Sequence, residues 1–336
     1  MPSIIGWDIG GVNIKAARLE AGAVRVALEP FELQRAPDRL ATTLAAIAAD
    51  LGATGADRHA VTMTAELSQL FRTKREGVDF IVRALAAVFP TERLSVFGTD
   101  GRFHSASDAR REPLCVAAAN WMATAALVAQ SVPTCLLVDI GSTTTDVIPL
   151  VQGKVIASGR TDPERLATGE LVYTGALRTP TEAVVRHVAF RGASAGVSAE
   201  GFAIMGDVYV WLGALAAEDY TVPTPDGRPA GRNFAGERLA RVLCADREML
   251  TDAEVDAIAR ALADAQAAAV AEAIHRVVAR HPSITTTVVT GLGDFIAARA
   301  AVQAGLAVTR LAEHLGDAAA RTAPAVAVAM LLEQTL

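Results

Sequence analysis

Asp8 and Asp139 each close a short apolar run, and each is followed by Ile-Gly and a cluster of small residues. A carboxylate among apolar neighbours is costly to bury unless a hydrogen-bond donor or a cation meets it. A tight turn of small residues after a core strand also leaves backbone N–H groups unpaired and aimed outward, and such a nest of amides binds phosphate oxygens. Gly10 and Gly11 in the first turn, and Gly141 and Ser142 in the second, are residue types that let a phosphate approach the backbone. Thr143 and Thr144 add hydroxyl donors, while Asn13 and Lys15 add an amide and a point charge to the first turn. The chemistry this pattern points to is a clamp for a phosphorylated ligand. Asp8 and Asp139 would then serve a magnesium ion, which favours a few carboxylates, waters and substrate phosphates. For a single Asp-Ile-Gly the plainer reading, an aspartate accepting amide bonds from its own turn, would be preferred. Two copies in register reverse that preference.

The elements that must position these groups are themselves repeated. Residues 7–19 and 138–150 align at one offset, which carries Asp8 onto Asp139, Gly10 onto Gly141 and Leu19 onto Leu150, and further on Gly22 onto Gly153 and Val24 onto Val155. Identities held in register over about seventeen residues indicate a duplicated unit. Each copy reads as a buried strand, a tight turn, a second strand, a glycine turn and a third strand.

Helical periodicity follows, over Pro37 to Leu51 and Glu76 to Phe89, with strands expected at Ala60 to Met63 and Leu94 to Phe97. Leu114 to Gln130 reads as a buried helix, barely long enough to span a bilayer. Farther on, Gly236 to Cys244 and Asp252 to Arg280 read as helices. Thr286 to Thr290 reads as a strand ending at Gly291-Leu292-Gly293, with a helix over Asp294 to Gln303. Tyr220 to Asn233, rich in proline and glycine, reads as a surface loop. The alternation, in two copies, predicts an α/β protein of two duplicated domains, 1–131 and 132–336, with the boundary near Ser131-Val132-Pro133. Glycine at 291 and 293 would let a flat ring or a phosphate approach a helix N-terminus.

Composition sets the class. The 336 residues are 51% hydrophobic and 20% charged, as in a globular protein. A net charge of −6 argues against a large nucleic-acid footprint. Cys115, Cys135 and Cys244 are odd in number, form no CxxC pair and sit in apolar stretches, so reduced, buried thiols and a cytoplasmic setting are expected. No secretory signal precedes Asp8, and no membrane partner is expected. The six histidines show no metal-ligand spacing.

With these motifs in place the chain resembles the actin-like ATPase superfamily, which includes sugar kinases and Hsp70. Residues 4–20 resemble its first phosphate motif, 134–151 its second, and 286–297 its nucleoside-contacting turn. The resemblance implies ribonuclease H-like domains flanking a central cleft. Within the superfamily the chain is similar to the hydantoinase/oxoprolinase branch, and in particular to proteins of tetrahydromethanopterin-linked one-carbon pathways that include synthases of methanofuran biosynthesis. The segments that carry this are Val61–Leu67, Thr73–Val78, Ala117–Trp121, and Gly169–Gly175 with Arg178-Thr179-Pro180.

That narrower resemblance implies a transferase. An aminomethyl-furanylmethyl diphosphate would be joined to the phenol of a tyrosine, tyramine or glutamyl derivative in methanofuran or methylofuran assembly, with release of diphosphate. Magnesium is implied and ATP or ADP is not required. A homo-oligomer is left open. A phenol needs a base, and Glu66, in a loop after an expected strand, is the first candidate, with Glu170 second. Arg178 would pair with diphosphate or a substrate carboxylate, and Lys74 would be a second cation for the same role. Each has a plainer role: Glu66 and Glu170 as helix caps, Arg178 as a loop anchor, Lys74 as a solvated helix start, Trp121 with Asn120 as packing and a buried partner. Tyr209 and Trp211 read as helical core. The competing functions on this scaffold are a small-molecule kinase or hydantoinase-like ATPase, and a non-catalytic nucleotide-dependent scaffold or sensor.

Overall fold

The computed structural model describes residues 3–336. The chain opens with β1 (Ile4–Ile9), β2 (Asn13–Glu20) and β3 (Ala23–Pro30), then α1 (Leu40–Asp50), β4 (Arg58–Met63), α2 (Lys74–Ala86), β5 (Leu94–Phe97), β6 (Phe103–Ser105), α3 (Ala106–Arg111) and α4 (Asn120–Ser131). The pattern begins again with β7 (Cys135–Ile140), β8 (Thr145–Val151) and β9 (Lys154–Val155), followed by α5 (Asp162–Thr168), β10 (Leu171–Val172), α6 (Thr181–Val184), β11 (His187–Phe190), β12 (Ala193–Gly196) and α7 (Met205–Trp211). It closes with α8 (Arg232–Arg241), α9 (Asp252–Val278), β13 (Thr286–Thr290), α10 (Asp294–Gln303), β14 (Ala307–Arg310), α11 (Ala312–Leu315), α12 (Asp317–Arg321) and α13 (Ala323–Glu333).

Two six-stranded sheets carry the repeat. The first has the order β3-β2-β1-β4-β5-β6, and the second runs β10-β8-β7-β13-β14 with β9 also on β8. In the first, β1 is antiparallel to β2 and parallel to β4, the register pairing Asp8 with both Lys15 and Thr62. The second turns of the two copies are also alike. Ala21-Gly22 and Gln152-Gly153 both take positive φ, 50° and 82° against 52° and 73°. Two successive left-handed residues make the two-residue hairpin turn whose twist suits its flanking strands, so the glycines fall where the backbone needs them. By contacts the described chain forms two compact units. One comprises the residues up to Leu137 with Ile148–Ala167 and Thr309–Leu336; the other comprises Val138–Val147 and Thr168–Val308.

In the first unit β1 is an inner strand, buried along its length. Alternate side chains leave by opposite faces. Ile5, Trp7 and Ile9 pack with Leu44 and Ile47 of α1 and Val78 and Ile81 of α2. Ile4 packs on the other face with Val328 and Leu332 of α13. Trp7 Nε1 donates to His59 Nδ1 at 3.2 Å, and His59 stacks on Phe89 at 3.8 Å. Burial pushes the imidazole down to about 4, which keeps it neutral and able to accept. The helix start of α2 is set by Thr73, whose Oγ1 accepts from Glu76 N–H.

The helix expected over Leu114 to Gln130 begins only at Asn120. A short turn at Pro113–Cys115 and Ala118 at φ 50° interrupt the apolar run, which hydrophobicity could not register. The helix expected from Gly236 begins earlier, at Arg232, and ends at Arg241. Cys135 is buried as expected, but Cys115 is half-buried and Cys244 is exposed. Tyr209 and Trp211 are buried in α7, as core. Among the described residues no helix is long and apolar enough to cross a membrane.

Of this unit's glycines among the described residues, Gly6 is the most tightly packed: an added Cβ would lie 1.9 Å from the Ala325 carbonyl oxygen of α13. Because the obstacle is backbone, α13 must move to admit a methyl. Gly6→Ala should therefore lower the unfolding free energy by at least about 2 kcal/mol, read from a denaturant midpoint. An unchanged midpoint would show that α13 does not rest on β1 at this distance.

Candidate functional site

The first Asp-Ile-Gly turn is closed by Gly10 N–H donating to the Asn13 carbonyl at 3.0 Å, and a side chain at Gly10 would strike that oxygen at 2.6 Å. The carbonyls of Gly11 and Val12 are taken by Leu33 and Phe31 N–H, while the Gly11 and Val12 N–H groups donate to nothing among the described residues. The half-buried tip thus presents free donors, as an anion site requires. Asn13 Oδ1 is also buried there without a partner. Asp8 lies one register step below, its Oδ2 3.3 Å from Lys15 Nζ and its Oδ1 buried with no hydrogen bond. Desolvation raises the affinity of Asp8 for a proton, and Lys15 offsets this only in part. Lys15, expected to reach towards a phosphate, is committed to Asp8 across the strand pair.

Beside this turn β4 ends, with Thr64 N–H donating to the Ile9 carbonyl at 2.9 Å. Two residues on, in a short 3-10 turn, Glu66 is 1% exposed and neither carboxylate oxygen has a hydrogen-bond partner among the described residues. Its place is fixed by α2, since a Cβ at Gly77 would lie 2.4 Å from the Glu66 carbonyl oxygen. The cap of α2 is Thr73, so Glu66 is not a helix cap. Lys74, the first residue of α2, sets its ammonium 3.4 Å from Glu66 Oε1 and 2.6 Å from Asp162 Oδ2. It is an ion-pair centre, not a solvated helix start. Burial pushes the Glu66 carboxyl up to about 7, against the pull of Lys74. A carboxyl that titrates near neutrality, next to unpaired amides at the C-terminal ends of two parallel strands, is matched to general-base work.

The second turn repeats the first. Gly141 N–H donates to the Thr144 carbonyl at 3.0 Å, and the N–H groups of Ser142, Thr143 and Thr144 donate to nothing among the described residues. The carbonyls of this turn are occupied by the distinctive segment after Gly169. Ala176 N–H donates to Gly141, and Leu177 and Arg178 N–H both donate to Ser142. Gly175 is needed there, as a Cβ would come within 2.5 Å of Thr143 N. Gln266 of α9, 1% exposed, braces the segment by donating to Thr174 Oγ1 at 2.7 Å and the Gly175 carbonyl at 2.9 Å, while Tyr209 OH donates to its Oε1 at 2.6 Å. Sequence reading missed Gln266; a lone amide inside an alanine-rich helix was the available signal. It also missed Asp162, which is remote in sequence from Lys74, and Asp146, buried in β8 where the repeat offset would place the counterpart of Lys15.

The remaining candidates are placed differently. Glu170 is fully buried with Oε1 3.3 Å from Arg280, an ion pair and not a helix cap. Arg178 is exposed, and among the described residues it forms no ion pair that would anchor its loop. Gly291, at φ 90°, lies against Asp139: an added Cβ would be 2.3 Å from Asp139 Oδ1, and one at Gly293 would be 2.5 Å from Ile140 Cγ2. These glycines let the chain pack closely on the end of β7. Trp121 is buried, with Arg165 over its ring at 4.3 Å.

For magnesium, no three acidic, histidine or cysteine side chains cluster among the described residues. Asp8 Oδ1 is a buried carboxylate oxygen with no protein partner. An ion that keeps several waters and takes oxygens from a bound diphosphate needs only one or two carboxylates, so the residues fit that kind of site.

Comparison with known proteins agrees with this architecture. Acetone carboxylase, in its nucleotide-free structure, matches at a TM-score of 0.63 with 12% identity, over 97% of this chain and 70% of that one. Component A of (R)-2-hydroxyglutaryl-CoA dehydratase from Acidaminococcus fermentans matches at 0.50 with 12% identity, over 100% of both chains. These likenesses show a shared α/β fold. The chain belongs to the hydantoinase/oxoprolinase family, whose model matches residues 57–335. It is 36% identical over 336 residues to (4-{4-[2-(gamma-L-glutamylamino)ethyl]phenoxymethyl}furan-2-yl)methanamine synthase of Methanocaldococcus jannaschii, covering 99% of this chain and 98% of the relative.

Glu66 links this site to stability. Its folded value, about 7, lies above its ordinary 4.5, so its contribution is fully present below the unfolded value and is lost as pH rises through about 7. Between about pH 4.5 and pH 8, Glu66→Gln should gain on the unsubstituted protein by on the order of 2 kcal/mol, read by denaturant unfolding at each pH. Parallel pH profiles would show an ordinary, ionised carboxylate.

Proposed function

We propose that this chain is a synthase that forms the aryl ether between a furanylmethyl carbon and a phenol oxygen, releasing diphosphate, in methanofuran or methylofuran assembly. The observation that carries the reading is Glu66, a buried carboxylate without a hydrogen bond, held beside a turn with unpaired amides. The full-length similarity to a protein named for such an ether supports it.

The substrates are an aminomethyl-furanylmethyl diphosphate and the phenol of a tyrosine, tyramine or glutamyl derivative. The phenol oxygen forms the new bond to the methylene carbon as the carbon–oxygen bond to diphosphate breaks. The bonding pair leaves with diphosphate, and the phenolic proton passes to Glu66. An electron-rich furan stabilises positive charge on the departing carbon, so the protein's main task is to neutralise charge building on the leaving oxygen. In the first unit the free amides of Gly11 and Val12 are donors suited to phosphate oxygens; in the second, taken by itself, those of Ser142, Thr143 and Thr144 are. Asp8, whose Oδ1 has no hydrogen-bond partner among the described residues, would hold magnesium, which when bound would supply further neutralisation of the diphosphate. Arg178, exposed and without an ion pair among the described residues, is available for a substrate carboxylate or phosphate. The reaction consumes no ATP, and the cytoplasm supplies reducing conditions suited to its free thiols.

The test is to mix the furanylmethyl diphosphate with each phenol, with and without ATP, and follow ether and diphosphate by mass spectrometry. Ether should form without ATP. Glu66→Gln should reduce its rate about 10²- to 10⁴-fold with the fold retained, and Asp8→Asn and Asp139→Asn should each cut turnover strongly. ATP turnover with no ether from any phenol would overturn the reading.

A further inference from the structure

We propose that Asp162 is a positioning residue that holds the Lys74 ammonium off Glu66, leaving the Glu66 carboxylate able to take up a proton. The proposal rests on Glu66 as the base and adds what sets its proton affinity.

The geometry begins with fixed backbones. Gly77 seats α2 on Glu66, and the Thr73 cap sets where α2 starts, so Lys74 must stand one turn from the carboxylate. An ammonium so placed would ordinarily close on a buried carboxylate to a charge-assisted distance of roughly 2.7–2.9 Å. It stops at 3.4 Å from Glu66 and instead lies 2.6 Å from Asp162. Asp162 is itself anchored. It opens α5, whose Arg165 is 1% exposed and stacks on Trp121 of α4. A Cβ at Gly159 would be 2.7 Å from Arg165 N, and Glu164 accepts from the N–H groups of Arg160 and Thr161. The start of α5 therefore cannot drift with Lys74.

Charge counting gives the consequence. With Asp162 present, Lys74 is already neutralised, and protonation of Glu66 converts a group of net −1 to a neutral one. Without Asp162, Glu66 and Lys74 would form a neutral pair, and proton uptake would leave a buried positive charge, which is unfavourable. The other charged groups of the neighbouring elements are engaged elsewhere. On α2, Arg75 donates to the Arg111 carbonyl and Glu76 accepts from Arg72 N–H. On α5, Arg165 lies over Trp121, and Lys15 of β2 is committed to Asp8.

The experiment titrates the Glu66 carboxyl directly in the full chain, by infrared difference spectroscopy against Glu66→Gln, alongside the pH profile of ether formation. Asp162→Asn should move the Glu66 titration down by about one pH unit or more, with the acidic limb of the rate following it. Lys74→Met should move it up. Asp162→Glu, which keeps the charge, should restore the native position. A titration unmoved or raised in Asp162→Asn overturns the proposal, even if the rate falls. If Asp162→Asn does not fold, Lys74→Met decides alone: a titration that fails to rise overturns it. Undiminished ether synthesis by Glu66→Gln would sink Glu66 as the base, while the infrared titration would still report on Asp162.

Discussion

A carboxylate buried without a hydrogen-bond donor is an expensive thing to keep, and the first unit keeps one in Glu66. Desolvation alone would favour its neutral form. The neighbouring elements meet this cost with a cation at one remove: Gly77 lets α2 lie against the Glu66 backbone, Thr73 sets where that helix begins, and Lys74 follows as its first residue. Asp162 then shares the ammonium. The outcome is a carboxyl poised at about 7, which neither a solvated glutamate nor a closely paired one would show.

The two Asp-Ile-Gly turns apply one backbone solution to two electrostatic settings. Gly10 to Asn13 and Gly141 to Thr144 close with the same bond, and each tip leaves amides free. Their surroundings diverge. In the first, Lys15 faces Asp8 and leaves one carboxylate oxygen unpartnered. In the second, the repeat offset puts Asp146 in the place of Lys15, and the segment around Gly175 occupies the turn's carbonyls. Duplication preserves what the backbone must do, and side chains are free to differ where the chemistry differs.

Much of this was legible in the sequence, because strands, turns and amide-rich turn tips are local. Ile4–Ile9 and Cys135–Ile140 announce themselves by apolar runs ending at glycine, and Gly22 and Gly153 fall where the chain turns left-handed. Glu66 was singled out by its position after a strand. What misled was also local: a continuous apolar composition from Leu114 hid the turn at Pro113–Cys115 and the positive φ of Ala118.

The sequence by itself determined the repeat, the α/β alternation, the two amide-rich turns and the acidic residue beside the first, since each depends on residues close along the chain. Only the tertiary structure decided which charges meet. Lys74 and Asp162 are 88 residues apart, Glu170 finds Arg280 across 110, and Gln266 reaches Thr174 across 92. Periodicity predicts which face of an element is buried, but not which distant polar group will be buried opposite it. The proton affinity of Glu66 depends on that pairing, so it was settled only when the chain folded.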